Sequence, residues 1–81
     1  MYFVYIIKSL KDGKFYTGLT TDVTKRLAEH NRGKDSTPST KSRGPFTLVH
    51  VEELPVLRTA RAREKYLKSG AGREWRDNNI P

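Results

Sequence analysis

At 81 residues the chain is long enough for one small domain, and 35% hydrophobic residues with 10% aromatics supply a single modest core. No cysteine is present, which excludes a disulfide framework and a thiolate zinc site, and two histidines without cysteine argue against a zinc finger. The net charge of +7, from 16 Lys+Arg against 9 Asp+Glu, points to a polyanionic partner, with an unspecialised basic surface as the alternative.

Nucleic acid fits that charge better than a membrane surface, because no helix pairs a broad apolar face with aromatic anchors. No stretch approaches the roughly 20 apolar residues of a membrane span. Met1 to Ile7 is apolar but too short for the core and flanks of a signal peptide. The expected location is the cytoplasm.

Tyr2 to Lys8 reads as a strand with Phe3, Tyr5 and Ile7 on one face and Tyr2, Val4 and Ile6 on the other. Both faces are apolar, so this strand is expected at the centre of a sheet covered on both sides. Asp12-Gly13 is a strong turn pair, and Phe15 to Thr20 is the returning strand. Gly18 weakens that strand and is expected to mark a bulge or a close approach of backbone by a ligand. Thr21 or Asp22 can cap a helix from about Val23 to Asn31 that stops at Gly33. On a helical wheel Val23, Arg26, Leu27 and His30 share the side that faces the sheet, an unusual place for an arginine.

Residues 32 to 45 are rich in Ser, Thr, Pro and Lys/Arg and read as an exposed loop. Lys34, Lys41 and Arg43 make it either a clamp for a nucleic acid backbone or a solvated loop. Phe46 to Leu54 is a third strand, alternating less cleanly, with Glu52-Glu53 suggesting a sheet edge. Pro55 suits the start of a second helix reaching about Ser69. Val56, Ala60 and Leu67 form its expected core face, and Arg58, Arg61, Lys65 and Lys68 a basic stripe that would track a sugar-phosphate backbone. Glu64 falls between the two, at the core edge. Gly70-Ala71-Gly72 reads as a flexible break before a short helix from Arg73 to Asn78, with Trp75 packing back. The sum is an α+β domain of order β-β-α-β-α plus a short C-terminal helix, with a small three-stranded antiparallel sheet. Residues 1–78 form the expected unit and 79–81 a tail.

Several of these segments together resemble the GIY-YIG endonuclease superfamily, and most of all its short bacterial members, the URI-domain or UPF0213 group. They are Val4-Tyr5-Ile6, Tyr16-Thr17-Gly18, Lys25-Arg26-Leu27 with Glu29-His30-Asn31, Arg63-Glu64-Lys65 and Lys68-Ser69-Gly70. Val4 stands where the first motif has glycine and Thr17 where the second has isoleucine. The resemblance implies a divalent-metal-dependent endonuclease acting on DNA, with Tyr5, Tyr16, Arg26, His30 and Glu64 as catalytic residues.

In the roles so implied, Tyr16 is the general base, for which a phenol of ordinary pKa near 10 needs neighbouring cations. Tyr5 orients the water or the phosphate, with an aromatic core residue as the alternative. Arg26 holds the scissile phosphate, unless it serves only a salt bridge to Asp22 or Glu29. Glu64 holds one Mg2+ or Mn2+ ion, unless it serves only an ion pair with Arg61 or Lys68. His30 either assists proton transfer or is a hydrogen-bonded histidine under the sheet, and His50 reads as structural.

Lys25 joins Lys34, Lys41, Arg43 and the α-helical stripe as nucleic-acid-binding residues. Gly18 and an asparagine, Asn79 or its neighbour Asn78, lie near the site. Similar enzymes include homing and restriction nucleases and subunits used in DNA repair or recombination. With no second domain to choose a target, the expectation is low sequence specificity, selection of a DNA structure, or a protein partner that supplies targeting. A non-catalytic nucleic-acid-binding module of the same fold is the alternative.

Overall fold

The computed structural model describes residues 1–32 and 45–80. In chain order these form β1 (Tyr2–Ser9), β2 (Phe15–Thr20), α1 (Val23–Arg32), β3 (Phe46–Leu54), α2 (Leu57–Lys68) and α3 (Gly70–Asn79). The strands make one antiparallel sheet in the order β2-β1-β3, the α+β arrangement that the sequence predicts. The helix stop at Gly33 and the basic residues Lys34, Lys41 and Arg43 lie outside the described residues.

β1 is central, as its two apolar faces require. Val4, Tyr5, Ile6 and Ile7 are all buried. Val4 and Ile6 pack with Ala60, Leu67 and Ile80 beneath α2 and α3, joined by Leu19, Val49, Leu54 and Trp75. Tyr5 and Ile7 pack on the opposite face with Phe46, joined by Tyr16 and by Leu27 of α1. Each such aliphatic side chain contributes about 1.5–3 kcal/mol by leaving water. Ile80, beyond the last helix and in the segment read as a tail, belongs to this core.

The β1–β2 turn combines three local devices. Gly13 takes a positive φ of 73°, the Lys14 N–H donates to the Asp12 carboxylate at 2.9 Å, and the Ser9 Oγ accepts from the Lys11 and Asp12 N–H groups. The irregular alternation of β3 also has a cause. Ile6 pairs with His50 but Ile7 pairs with Leu48, so Val49 is an extra residue in β3. Such a bulge lets two neighbours share a face. Val49 packs on the Val4 cluster and His50 stands edge-on to Trp75 at 5.0 Å.

Two expectations about the helices are corrected. Helix α2 starts at Leu57 rather than Pro55, because Val56 holds an extended conformation (φ −118°, ψ 130°) that suits a β-branched residue turning the chain off the sheet. Val56 is consequently 50% exposed, and the core face of α2 is Ala60 and Leu67 alone. Gly70-Ala71-Gly72 is the first turn of α3 and not a flexible break. Ser69 joins α2 to α3: its Oγ accepts from the Gly72 N–H at 3.3 Å and donates to the Tyr66 carbonyl at 2.5 Å. Gly72 is buried because a Cβ there would strike the Tyr66 carbonyl and the Leu67 backbone, whereas a Cβ at Gly70 would meet open space.

A polar network ties the two layers on this side. Glu52 of β3 accepts from Arg63 Nε at 2.8 Å and NH2 at 3.0 Å, and lies 2.7 Å from His50 Nε2. The Arg63 guanidinium also stacks on Tyr66 and Trp75, 5.0 and 5.2 Å from the ring centres. Burial alone would raise the Glu52 pKa, but the bonds from Arg63 and His50 outweigh it and hold the carboxyl below its ordinary 4.5.

Gly72→Ala should destabilise the protein by about 2–3 kcal/mol, because backbone cannot move aside as a flexible side chain can. Gly70→Ala should be neutral or stabilise by up to about 1 kcal/mol. Thermal denaturation of both variants checks this contrast. Glu52→Gln should lower the Tm at pH 7 by roughly 5–10 °C. A depressed folded pKa stabilises fully above the unfolded value of 4.5 and ceases to do so as the pH falls through the folded value. The Tm gap between wild type and variant should therefore close in acid, measured across a pH series.

Candidate active site

The candidate residues come from four elements, and β1 supplies the central one. Tyr5 pairs with Gly18 across the β1–β2 ladder. A Cβ at Gly18 would overlap the Tyr5 hydroxyl and the adjoining ring carbons, so the tip of the ring rests on the Gly18 backbone. The close approach expected at Gly18 is thus made by the protein's own tyrosine, and the bulge of the sheet lies in β3 instead. Because β2 is an edge strand, this contact carries the Tyr5 hydroxyl outward from the middle of the sheet while the ring stays 2% exposed.

Helix α1 brings the second and third residues. Its start is set by Asp22, whose carboxylate accepts from the Lys25 N–H at 3.0 Å and whose own N–H donates to Thr20 Oγ1 at 3.1 Å. Lys25 is exposed on the first turn. Arg26, Leu27 and His30 then turn toward the sheet, as the wheel predicts. Arg26 hydrogen-bonds the Tyr5 hydroxyl and, at 3.2 Å, Glu29. His30 is 1% exposed, with Nε2 2.9 Å from the Tyr5 hydroxyl and its ring edge-on to Tyr16 at 5.1 Å. At the end of α1 the Asn31 side chain accepts from the Phe46 N–H at 2.6 Å and donates to the Phe46 carbonyl at 3.3 Å, fixing α1 to the first residue of β3.

The chemistry of this group follows from its burial. Burial raises the Tyr5 pKa to about 12, with help from the charges of Tyr16 and Glu64 and against the pull of Arg26, so the phenol keeps its proton at neutral pH. Burial and then the Arg26 charge lower the His30 pKa, so its imidazole is neutral there. Arg26 can only donate. The assignment that satisfies all three has Arg26 donating to the Tyr5 oxygen, Tyr5 donating to His30 Nε2, and the His30 proton on Nδ1. Arg26 keeps its charge: burial opposes it, but the bonds to Glu29 and Tyr5 prevail.

Glu64 arrives from α2, which packs against both β2 and β1. Its carboxylate is 22% exposed and 3.1 Å from Lys68 Nζ, one of the two partners its spacing predicts. It acts on Tyr5 through its charge. Tyr16 is half-buried on β2 and meets His30 from the other side. Tyr5, Tyr16, Arg26 and His30 are thus in contact with one another, while Glu64 reaches the group only through its charge.

Of the other described candidates, Lys25 lies on α1, Arg58, Arg61, Lys65 and Lys68 on α2 and Asn79 on α3. Arg58, Arg61, Lys65 and Lys68 are exposed along α2 as the stripe predicts. Asn79 is engaged in its own helix, donating to the Trp75 carbonyl at 2.7 Å. The roles of Arg63 and Asn31 in binding layers together are not visible in the sequence, where both stand only as parts of motifs.

Among the described residues no three His, Cys, Asp or Glu side chains cluster to hold a metal. Glu64 offers one partly exposed carboxylate that could take a cation. That fits magnesium, which takes one or two carboxylates and fills its shell with water and substrate phosphate.

Comparison with known proteins finds relatives over most of the chain. A UPF0213 protein from Halobacterium salinarum is 46% identical over 68 residues, spanning 84% of this chain and 86% of its own. One from Syntrophus aciditrophicus is 44% identical over 66 residues, spanning 82% and 75%. The solution NMR structure of a UPF0213 protein from Bacillus halodurans superposes with a TM-score of 0.54 at 40% identity, covering 93% of this chain and 81% of that one. Residues 1–78 match the GIY-YIG catalytic domain, and the chain belongs to that family.

Proposed function

We propose that this chain is a divalent-metal-dependent endonuclease that hydrolyses DNA phosphodiester bonds. Its family is one of nucleases, whose substrates are nucleic acids. The observation that supports catalysis best is the convergence on one buried hydroxyl. Tyr5 is held by Arg26 and His30 at the sheet edge, with Tyr16 and Glu64 both close enough to act on its ionisation. A core tyrosine without further use would need one partner, and this hydroxyl is bonded by two polar side chains, Arg26 and His30.

In this reading Arg26 faces the scissile phosphate and stabilises the charge that builds on it, an effect of a few kcal/mol for a fixed cation. Tyr5 stays protonated and orients the attacking water or a phosphate oxygen as a hydrogen-bond donor. Tyr16, less buried, removes the proton from that water. His30 fixes the Tyr5 hydroxyl and lies against Tyr16. Glu64 holds one Mg2+ or Mn2+ ion, which when bound polarises the phosphate and stabilises the leaving oxygen. The domain, with Ile80 in its core, acts as one unit, in the cytoplasm, with low sequence specificity or selection of a DNA structure, or with targeting by a protein partner. Among the described residues no helix is long and apolar enough to cross a membrane.

The ion pairs Glu64–Lys68 and Arg26–Glu29 favour a second reading, a binding module without turnover, because each engages a residue that catalysis needs. Cleavage of labelled single-stranded, duplex, flap and branched DNA with Mg2+ or Mn2+ separates the two. Wild type should cut, Glu64→Ala and Tyr16→Phe should each lose about a hundredfold or more in rate, and DNA affinity should change little. Equal cutting by all three proteins would overturn the assignment. Salt-sensitive binding with no cutting of any substrate would establish the module. Gly18→Ala should displace the Tyr5 hydroxyl, abolish cutting and cost about 1–3 kcal/mol of stability, read by the same assay and by thermal denaturation.

A further inference from the structure

A groove runs between the outer strand β2 and the α2–α3 corner, lined by Phe15, Tyr16, Thr17, Lys68, Arg73 and Arg76. Tyr16 of the candidate site lines it, as does Lys68, the ion-pair partner of Glu64. Leu67 also lines it, and Lys68, Arg73 and Arg76 are its cations. Arg76 is set in place, its guanidinium 4.3 Å from the Phe15 ring centre and 3.3 Å from Asp77. Lys8 reaches the same ring at 5.5 Å, so Phe15 gathers two cations at the rim. Arg73 is exposed on the second turn of α3 and makes no ion pair among the described residues.

We infer that this groove seats the phosphate backbone of the nucleic acid strand flanking the scissile bond, with Arg73 and Arg76 as its phosphate contacts and Lys68 handing the strand to the catalytic group. The inference rests on the endonuclease reading and adds to it a path and an orientation. The basic stripe of α2 meets the groove at Lys68, so the cations of α3 extend the stripe toward the β1–β2 hairpin. Among the described residues Lys68 pairs with Glu64 and Arg76 with Asp77, and Asp77 is itself well exposed. A polyanion recovers more from such a row than a protein surface would, because each neutralised phosphate releases condensed counterions. Contacts from Lys68, Arg73 and Arg76 to phosphate oxygens position a strand without reading its bases, so the seat is indifferent to sequence.

The test is fluorescence anisotropy with a labelled single-stranded DNA oligonucleotide and a duplex of equal length, in EDTA, across about 50–200 mM salt. Arg73→Ala should weaken binding several-fold and make the plot of log affinity against log salt shallower by about 1, with Arg73→Lys restoring most of both. Lys11→Ala removes the same charge from the hairpin turn and should leave the slope unchanged. The Tm of Arg73→Ala should match wild type, which separates a contact from a fold defect. If Arg73→Ala and Arg73→Glu bind with wild-type affinity and slope while wild type still cuts DNA, the groove is refuted and the nuclease reading stands. If wild type neither binds nor cuts, the nuclease reading falls and the groove falls with it.

Discussion

Tyr5 is paired across the sheet with Gly18, and the tip of its ring takes the volume that any side chain at position 18 would need. The rest of the site depends on that substitution of one residue's ring for another's side chain. With the ring laid over β2, its hydroxyl is carried to where α1 can reach it from beneath the sheet and α2 can approach past the edge. Arg26 and His30 are four apart on α1, so both meet the same oxygen. The oxygen is buried enough to keep its proton, which suits it to donate a hydrogen bond; under the proposed function, proton removal falls to the less buried Tyr16.

The opposite face of β1 has a different task. There Val4 and Ile6 hold α2 and α3, and Glu52 with Arg63 fixes the register between β3 and α2. Arg63 and Glu64 are neighbours in sequence with opposite duties, one turned to the structural network and the other to the candidate site. The single residue Ser69 between α2 and α3, with Gly72 closing the approach, makes the helical pair one body. Lys68 and Arg73 therefore keep their spacing without any flexible segment between them.

Much of this is legible in the sequence because it follows from periodicity. The two apolar faces of Tyr2 to Lys8 identify a central strand, and the wheel of α1 turns Arg26 and His30 inward. The spacing of Ala60, Glu64 and Leu67 puts the glutamate at the core edge. What escapes periodicity is anything set by a specific close approach. Gly18 and Gly72 read as weak points in the sequence, yet each is a place where atoms of another residue come too near for a Cβ. The bulge at Val49 breaks the alternation that would otherwise mark β3 cleanly. Val56 is apolar and correctly spaced for a core face, but it precedes the helix, so its spacing has no meaning. The cations of α3 lie near β2 only because the chain reverses at Ser69, a distance of tertiary origin that no local pattern records.

The double duty of Tyr5 separates the site residues by what losing them would cost the fold. Tyr5 and His30 fill the interior between the sheet and α1, so a protein of this kind that had ceased to cut would still be held to them by folding alone. Glu64 bears no such load. It is partly exposed and bonded to a surface lysine, and nothing in the core would notice its replacement. Among kindred chains the tyrosine therefore certifies the architecture, and under the proposed function the carboxylate is the residue whose loss would mark a chain that no longer cuts.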